Sequence, residues 1–131
     1  MIKTPNILFH MNIKLTMLTV LFTGLANISF GQKLKNGSYI FSYRDAEFVS
    51  SKLFGKAKVI IKGDSITVIH LSGYPGKKGE VYDKGLLMYH KKSKRWIIAH
   101  SLHDANAEEV GGCSDGPRVI HFWKNKEIEH C

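Results

Sequence analysis

From Gly37 onward the chain alternates apolar and polar positions with a period of two. In GSYIFSYR, Tyr39, Phe41 and Tyr43 fall on one face and Ile40 on the other, the alternation of a half-buried strand. The clearest unit is KAKVIIKGDSITVIHL. Gly63-Asp64 supplies a two-residue hairpin turn. Pairing Lys62 with Ser65 then sets Ile61 against Ile66, Val59 against Val68 and Ala57 against His70. His70 falls at the rim of the apolar face, as a packed or hydrogen-bonded histidine. A second hairpin joins EVYDKGLLMYH to RWIIAH around the tip KKSK. It sets Tyr89 against Trp96 and Leu87 against Ile98 on one side, with Met88 against Ile97 and Leu86 against Ala99 on the other. Both sides are apolar near the middle, so this hairpin is expected to be the most buried part of the sheet. Gly79 and Gly85 flank it, as bulges or tight bends require.

Elsewhere the pattern leaves alternatives. DAEFVSSKLFG (45–55) fits a short helix with Phe48, Leu53 and Phe54 on its apolar side, or a strand with an irregular middle. SGYPGKKG (72–79) is a long turn. RVIHFW and EIEHC make a last hairpin of open register: a three-residue tip opposes Phe122 to Ile128 and Val119 to Cys131, a two-residue tip opposes Lys124 to Glu127. About seven strands at spacings of roughly 8–12 residues, with one short helix, predict a mainly β fold, a small antiparallel barrel or sandwich. A meander of hairpins favours the barrel, because closure removes exposed edges. The layout resembles the small lipocalin-like barrels in architecture, without a family motif behind it.

The first residues break the pattern. LTMLTVLFTGLA (15–26) is an apolar run preceded by Lys3 and Lys14. It is too short for a membrane span, which needs about 20 residues, and it fits the h-region of a signal peptide. Ser29 and Gly31 stand at −3 and −1 if cleavage falls before Gln32. Residues 1–31 are therefore expected to be a signal peptide, with Met1 or Met11 as the start. Residues 32–131 then form a single β domain without a transmembrane segment, secreted or periplasmic. In an oxidising compartment Cys113 and Cys131, the two cysteines of the chain, are expected to pair.

Residues 32–131 carry 17 Lys+Arg against 11 Asp+Glu. The lysines are scattered, and the densest cluster, HKKSKR (90–95), reads as a solvated hairpin tip. Nucleic acid is not an expected partner.

Candidate chemistry concentrates in HSLHDANAEEVGGCSDGP (100–117). A metal site would recruit His100, His103, Asp104 and His121. However, histidines three apart point to opposite faces of a strand, so convergence requires a turn after His100. A nucleophilic enzyme would need Cys113 free, beside His103 or His121 as base. The preferred expectation uses neither. Asp104 caps a short helix through Ala105, Ala107 and Glu108, Gly111-Gly112 end it in a left-handed cap, and residues 114–117 form a turn. The segment becomes a helical lid or plug between strands, pinned by Cys113–Cys131. Ligand binding falls to Tyr74, Tyr82, Tyr89 and Trp96, with Tyr39 and Tyr43, if they converge at a barrel mouth. The function expected is that of an exported, monomeric binding or interaction module without catalysis or cofactor. Its partner is a small ligand or a protein, the latter met by the 72–79 loop. The alternative is a small hydrolase or metal-binding protein using residues 100–113.

Overall fold

A computed structural model describes residues 33–47, 53–122 and 125–131. The apolar run of residues 15–26, Phe48 and Lys124 lie outside the described residues. Seven strands follow one another around a closed barrel: β1 (Gly37–Asp45), β2 (Leu53–Lys62), β3 (Ser65–Gly73), β4 (Val81–His90), β5 (Arg95–Ala99), β6 (Arg118–His121) and β7 (Glu127–His130). Each consecutive pair is antiparallel. The ring closes by a parallel pairing of β1 with β7, with Tyr43 beside Ile128 and Asp45 beside His130. Leu53 and Phe54 therefore open a strand, not the apolar side of a helix.

The two short hairpins take the registers their sequences specify. Ile61 faces Ile66, Val59 faces Val68 and Ala57 faces His70 across β2–β3. Gly63 holds the tip at φ 58°, a conformation that costs glycine little. In β4–β5, Leu87 faces Ile98 and Tyr89 faces Trp96. Gly85 lies so close to the neighbouring strand that a Cβ there would stand 2.2 Å from the carbonyl oxygen of Ala99. The last hairpin takes neither expected register: Ile120 faces Ile128 and His121 faces Glu127. The link is longer than a tight turn, and Phe122 is free to fold into the core.

Inward positions fill the barrel. Phe41, Tyr43, Val59, Ile61, Val68, Ile98 and Ile128 are fully buried and pack with Leu87, Ile120 and Phe122. This is the filling expected of a small barrel. A second, smaller cluster lies on the outer face of the sheet. Ile97, Ala99 and Val119 point outward and are covered by Val110, with Leu86, Met88 and Ala107 around them. Residues 100–117 are thus a pad on the outer wall and not a lid or plug.

The helix of this segment is a 3-10 turn, Leu102–Asn106, and the described residues contain no α-helix. Its N-cap is Ser101, and Asp104 occupies the third position of a capping box. The Asp104 carboxylate accepts the backbone N–H of His100 at 2.7 Å and of Ser101 at 3.3 Å. The turn ends at Ala107, so Gly111 and Gly112, at φ 66° and 58°, shape a later bend. Cys113 and Cys131 are bonded, Sγ–Sγ 2.11 Å, and tie this bend to the residue after β7.

A crosslink across 18 residues of separation should stabilise by about 3 kcal/mol through the unfolded chain. Replacing both cysteines by serine should lower the unfolding free energy by that amount in urea titration while leaving the strand spectrum unchanged. Unaltered stability would mean that other contacts alone hold the pad.

Candidate functional site

Residues 100–117 do not bring together the side chains of the alternative metal or nucleophile readings. His100 is exposed and its Nε2 meets Asp83 Oδ1 at 2.7 Å. His121, on β6, meets Glu129 Oε1 at 3.1 Å. His103 is exposed on the 3-10 turn, and Asp104 spends its carboxylate on the cap. Among the described residues no three His, Cys, Asp or Glu side chains converge as a metal site would require. The Cys113 sulfur, the candidate nucleophile, is in the disulfide.

The pad is instead lashed to the wall by polar groups that sequence analysis passed over. His90 is buried, with Nδ1 2.8 Å from Ser93 Oγ and Nε2 2.9 Å from the Ala107 carbonyl. A carbonyl only accepts, so Nε2 carries the proton and Nδ1 accepts from the Ser93 hydroxyl. The Ser93 backbone N–H points at the same Nδ1, at 3.2 Å, which makes the pair a turn closure and not an activated serine. Arg95 donates to the Val110 carbonyl at 3.1 Å. Glu129 accepts from His121 and from the Gly112 N–H at 2.8 Å. Burial pushes the Glu129 carboxyl up, but these hydrogen bonds and the charges of His121 and Arg95 leave it below the ordinary value. Between hairpin tip and pad lies an open cleft of about 430 Å³, spanned by the Lys92–Glu108 ion pair.

The aromatic candidates separate into two groups. Successive turns of a meander lie at opposite ends of the barrel. Tyr89 and Trp96, 5.5 Å apart between ring centroids, flank one turn, and Trp96 continues to Phe122 at 5.8 Å. Tyr74 and Tyr82 lie at the other end, where β1, β3 and β7 finish and β2, β4 and β6 begin. There they meet Tyr43, Phe54, His70 and His130. Tyr43 lies 4.9 Å from Tyr82 and 5.5 Å from His70. Tyr74 lies 5.5 Å from His130 and 5.9 Å from Phe54.

Polar tips in this mouth are arranged in histidine–tyrosine hydrogen-bonded pairs. His70 Nε2 donates to the Gly73 carbonyl at 2.7 Å, so its Nδ1 accepts from the Tyr43 hydroxyl at 3.1 Å. The Tyr82 hydroxyl meets His130 Nδ1. His130 Nε2 is buried and has no partner among the described residues. Arg118 lies over the Tyr82 ring at 4.5 Å, in a cation–π contact. It also donates to Asp83 Oδ2 and to the Glu129 carbonyl, both at 3.1 Å. Burial pushes the Tyr43 and Tyr82 phenols up to about 12, with Arg118 opposing. Burial, and then Arg118, hold His130 below its usual value.

The 72–80 loop above the mouth is fixed by its own hydrogen bonds. Gly79 N–H donates to the His70 carbonyl at 2.8 Å, and the Lys77 N–H to Glu80 Oε2 at 3.0 Å. Tyr74 is nonetheless 67% exposed. Phe54, His70, Arg118 and His130 were not among the expected site residues. The available signal was strand direction: His130 alternates with the inward Ile128, and its strand ends where β4 begins.

Comparisons with protein families, curated proteins and solved structures return no match for this chain.

Both phenols titrate higher in the folded chain than in the unfolded one, whose tyrosines ionise near about 10. Their contribution to stability is complete below that pH and is lost as pH rises to about 12. In an ultraviolet titration, the phenolate signal missing from Tyr43→Phe and Tyr82→Phe should be the part that appears only at about 12. Ionisation of that part at the unfolded value would contradict a closed mouth.

Proposed function

We propose that the protein is an exported interaction module that engages a protein partner through the Tyr74 loop at the barrel mouth, with no catalysis of its own. The observation that carries this is Tyr74 itself. The residue is 67% exposed, yet its ring packs against Phe54 and His130 and the loop beneath is hydrogen-bonded in place. A presented, pre-ordered aromatic is the kind of anchor that dominates protein interfaces, because little conformational freedom is lost when it is buried. The filled interior turns the choice from an enclosed small ligand to a macromolecular surface. Leu53, 47% exposed at the start of β2, adds apolar area near the same end. The apolar run of residues 15–26 and the pairing of Cys113 with Cys131 support export. No helix among the described residues is long and apolar enough to cross a membrane.

Export is checked by N-terminal sequencing of the protein recovered outside the cytoplasm, which should begin at Gln32. Partner binding is checked by chemical crosslinking in the native host. The expectation is a discrete, saturable adduct that weakens about 30-fold in Tyr74→Ala, the scale of an aromatic anchor, and persists in Leu102→Ala. Leu102 is more exposed still but lies on the pad. An adduct indifferent to Tyr74→Ala would place the interface elsewhere.

A further inference from the structure

The outer wall of β1–β4 is a second surface, unlike the mouth in both charge and polarity. Its outward positions run in rows across the strands. Ile40 on β1 pairs with Lys58 on β2, Lys58 with Ile69 on β3, and Ile69 with Val81 on β4. The adjacent row is Ser38, Ile60, Thr67 and Lys84. Beyond them lie Ser42 beside Lys56 and Lys62 beside Ser65. Ile40 is 56% and Val81 57% exposed. Lys58, half-buried, stands between Ile40 and Ile69 in this row, a setting in which a long cationic side chain can rest its methylenes on apolar ground.

None of these outward positions carries a carboxylate. Among the described residues, Lys56, Lys58, Lys62 and Lys84 take part in no ion pair. The wall belongs to a wider division of charge. Residues 33–99 hold 14 Lys+Arg against 5 Asp+Glu, whereas residues 100–131 hold 3 against 6. Lysines without carboxylate neighbours on one wall draw that wall toward an anionic surface.

We propose that this wall docks on the surface of an anionic lipid bilayer. The lysine ammoniums meet lipid phosphates while Ile40, Ile60, Ile69 and Val81 enter the boundary between headgroups and acyl chains. The apolar row selects this partner over a soluble polyanion. A glycan or nucleic acid offers phosphate or carboxylate but no apolar phase, and would leave Ile40 and Val81 in water. A bilayer answers both features at once. Docking by the wall occupies neither the mouth nor the pad, so it adds to the partner interface at Tyr74 and does not compete with it.

The test is co-sedimentation of the exported protein with vesicles of phosphatidylcholine, alone or mixed with phosphatidylglycerol. Binding is expected only to the mixed vesicles, and should weaken with salt. At about fivefold for each basic side chain near an anionic surface, the combined variant Lys58→Gln, Lys62→Gln, Lys84→Gln should weaken it about a hundredfold. A second variant, Ile40→Ser with Val81→Ser, should weaken it as well. Tyr74→Ala should bind vesicles like the parent, which separates this outcome from that of the mouth. Every substitution is at an outward, exposed or half-buried position, and near-ultraviolet dichroism of the aromatic core checks that the barrel is intact. Absence of binding to mixed vesicles would overturn the proposal. So would full binding by the lysine variant, or by the Ile40/Val81 variant, the latter pointing to a plain polyanion site.

Discussion

A meander with an odd number of strands closes only if its first and last strands run parallel, and in this chain that seam rests on four residues. β7 alternates sides, and each of its side chains serves a different part of the molecule. Glu127, almost fully buried, accepts from Arg44 at 3.2 Å and fastens the seam to β1. Ile128 completes the barrel interior. Glu129 faces outward and holds the Gly112 N–H, His121 and, at 3.8 Å, Arg95. His130 faces inward again and joins the aromatic mouth. So short a strand has few ladder bonds of its own, and it is held mainly by these side chains and by the disulfide at the next residue. Core, mouth and pad therefore share one support at the C-terminus.

The brevity of β5 explains the other irregularity. Five residues long, it leaves the first half of β4 without a neighbour on that side. Arg118, at the start of β6, reaches over the gap to Asp83 and lays its guanidinium on Tyr82. The chain spared from β5 and β6 becomes residues 100–117, which cover the outward-facing Ile97, Ala99 and Val119. Within this segment His100 reaches Asp83, Glu108 reaches Lys92 and Asp104 caps the turn, while the ties that hold the pad to the wall come from His90, Arg95 and Glu129 outside it.

Much of this was legible in the sequence, and the limits have physical causes. Two-residue and four-residue tips fix register, so the pairings of Ile61 with Ile66 and Leu87 with Ile98 follow from alternation alone. A five-residue link such as 122–126 tolerates several registers, and the inward demand of Phe122 decided among them. In HSLHDANAEEV both Ser101 and Asp104 are competent caps; the carboxylate at the third position won the reciprocal role because it reaches two backbone donors. RWIIA, apolar on both faces, already signalled that something must cover the outside of β5. What covers it is a tertiary matter. Alternation assigns Trp96 to the interior but counts Tyr82 with Leu86 and Met88 on the outer side; the bulge between Val81 and Asp83 turns Tyr82 inward, and the up-and-down course of the strands sets it at the opposite end from Trp96.

The mouth and the wall rest on different physics, and this bears on how the molecule meets its surroundings. At the mouth His70 and His130 are hydrogen-bonded to the Tyr43 and Tyr82 hydroxyls, and the Arg118 charge is matched by Asp83. A partner that covered the exposed Tyr74 would be held by short-ranged apolar burial, little affected by salt. On the wall, lysines without carboxylate partners act across about 8–10 Å of electrolyte at physiological salt, before any contact forms. The long-range force belongs to the wall and the short-range one to the mouth. If both proposals hold, a charged surface would capture and orient the domain first, and the apolar contact would be selected from that restricted set of orientations afterwards.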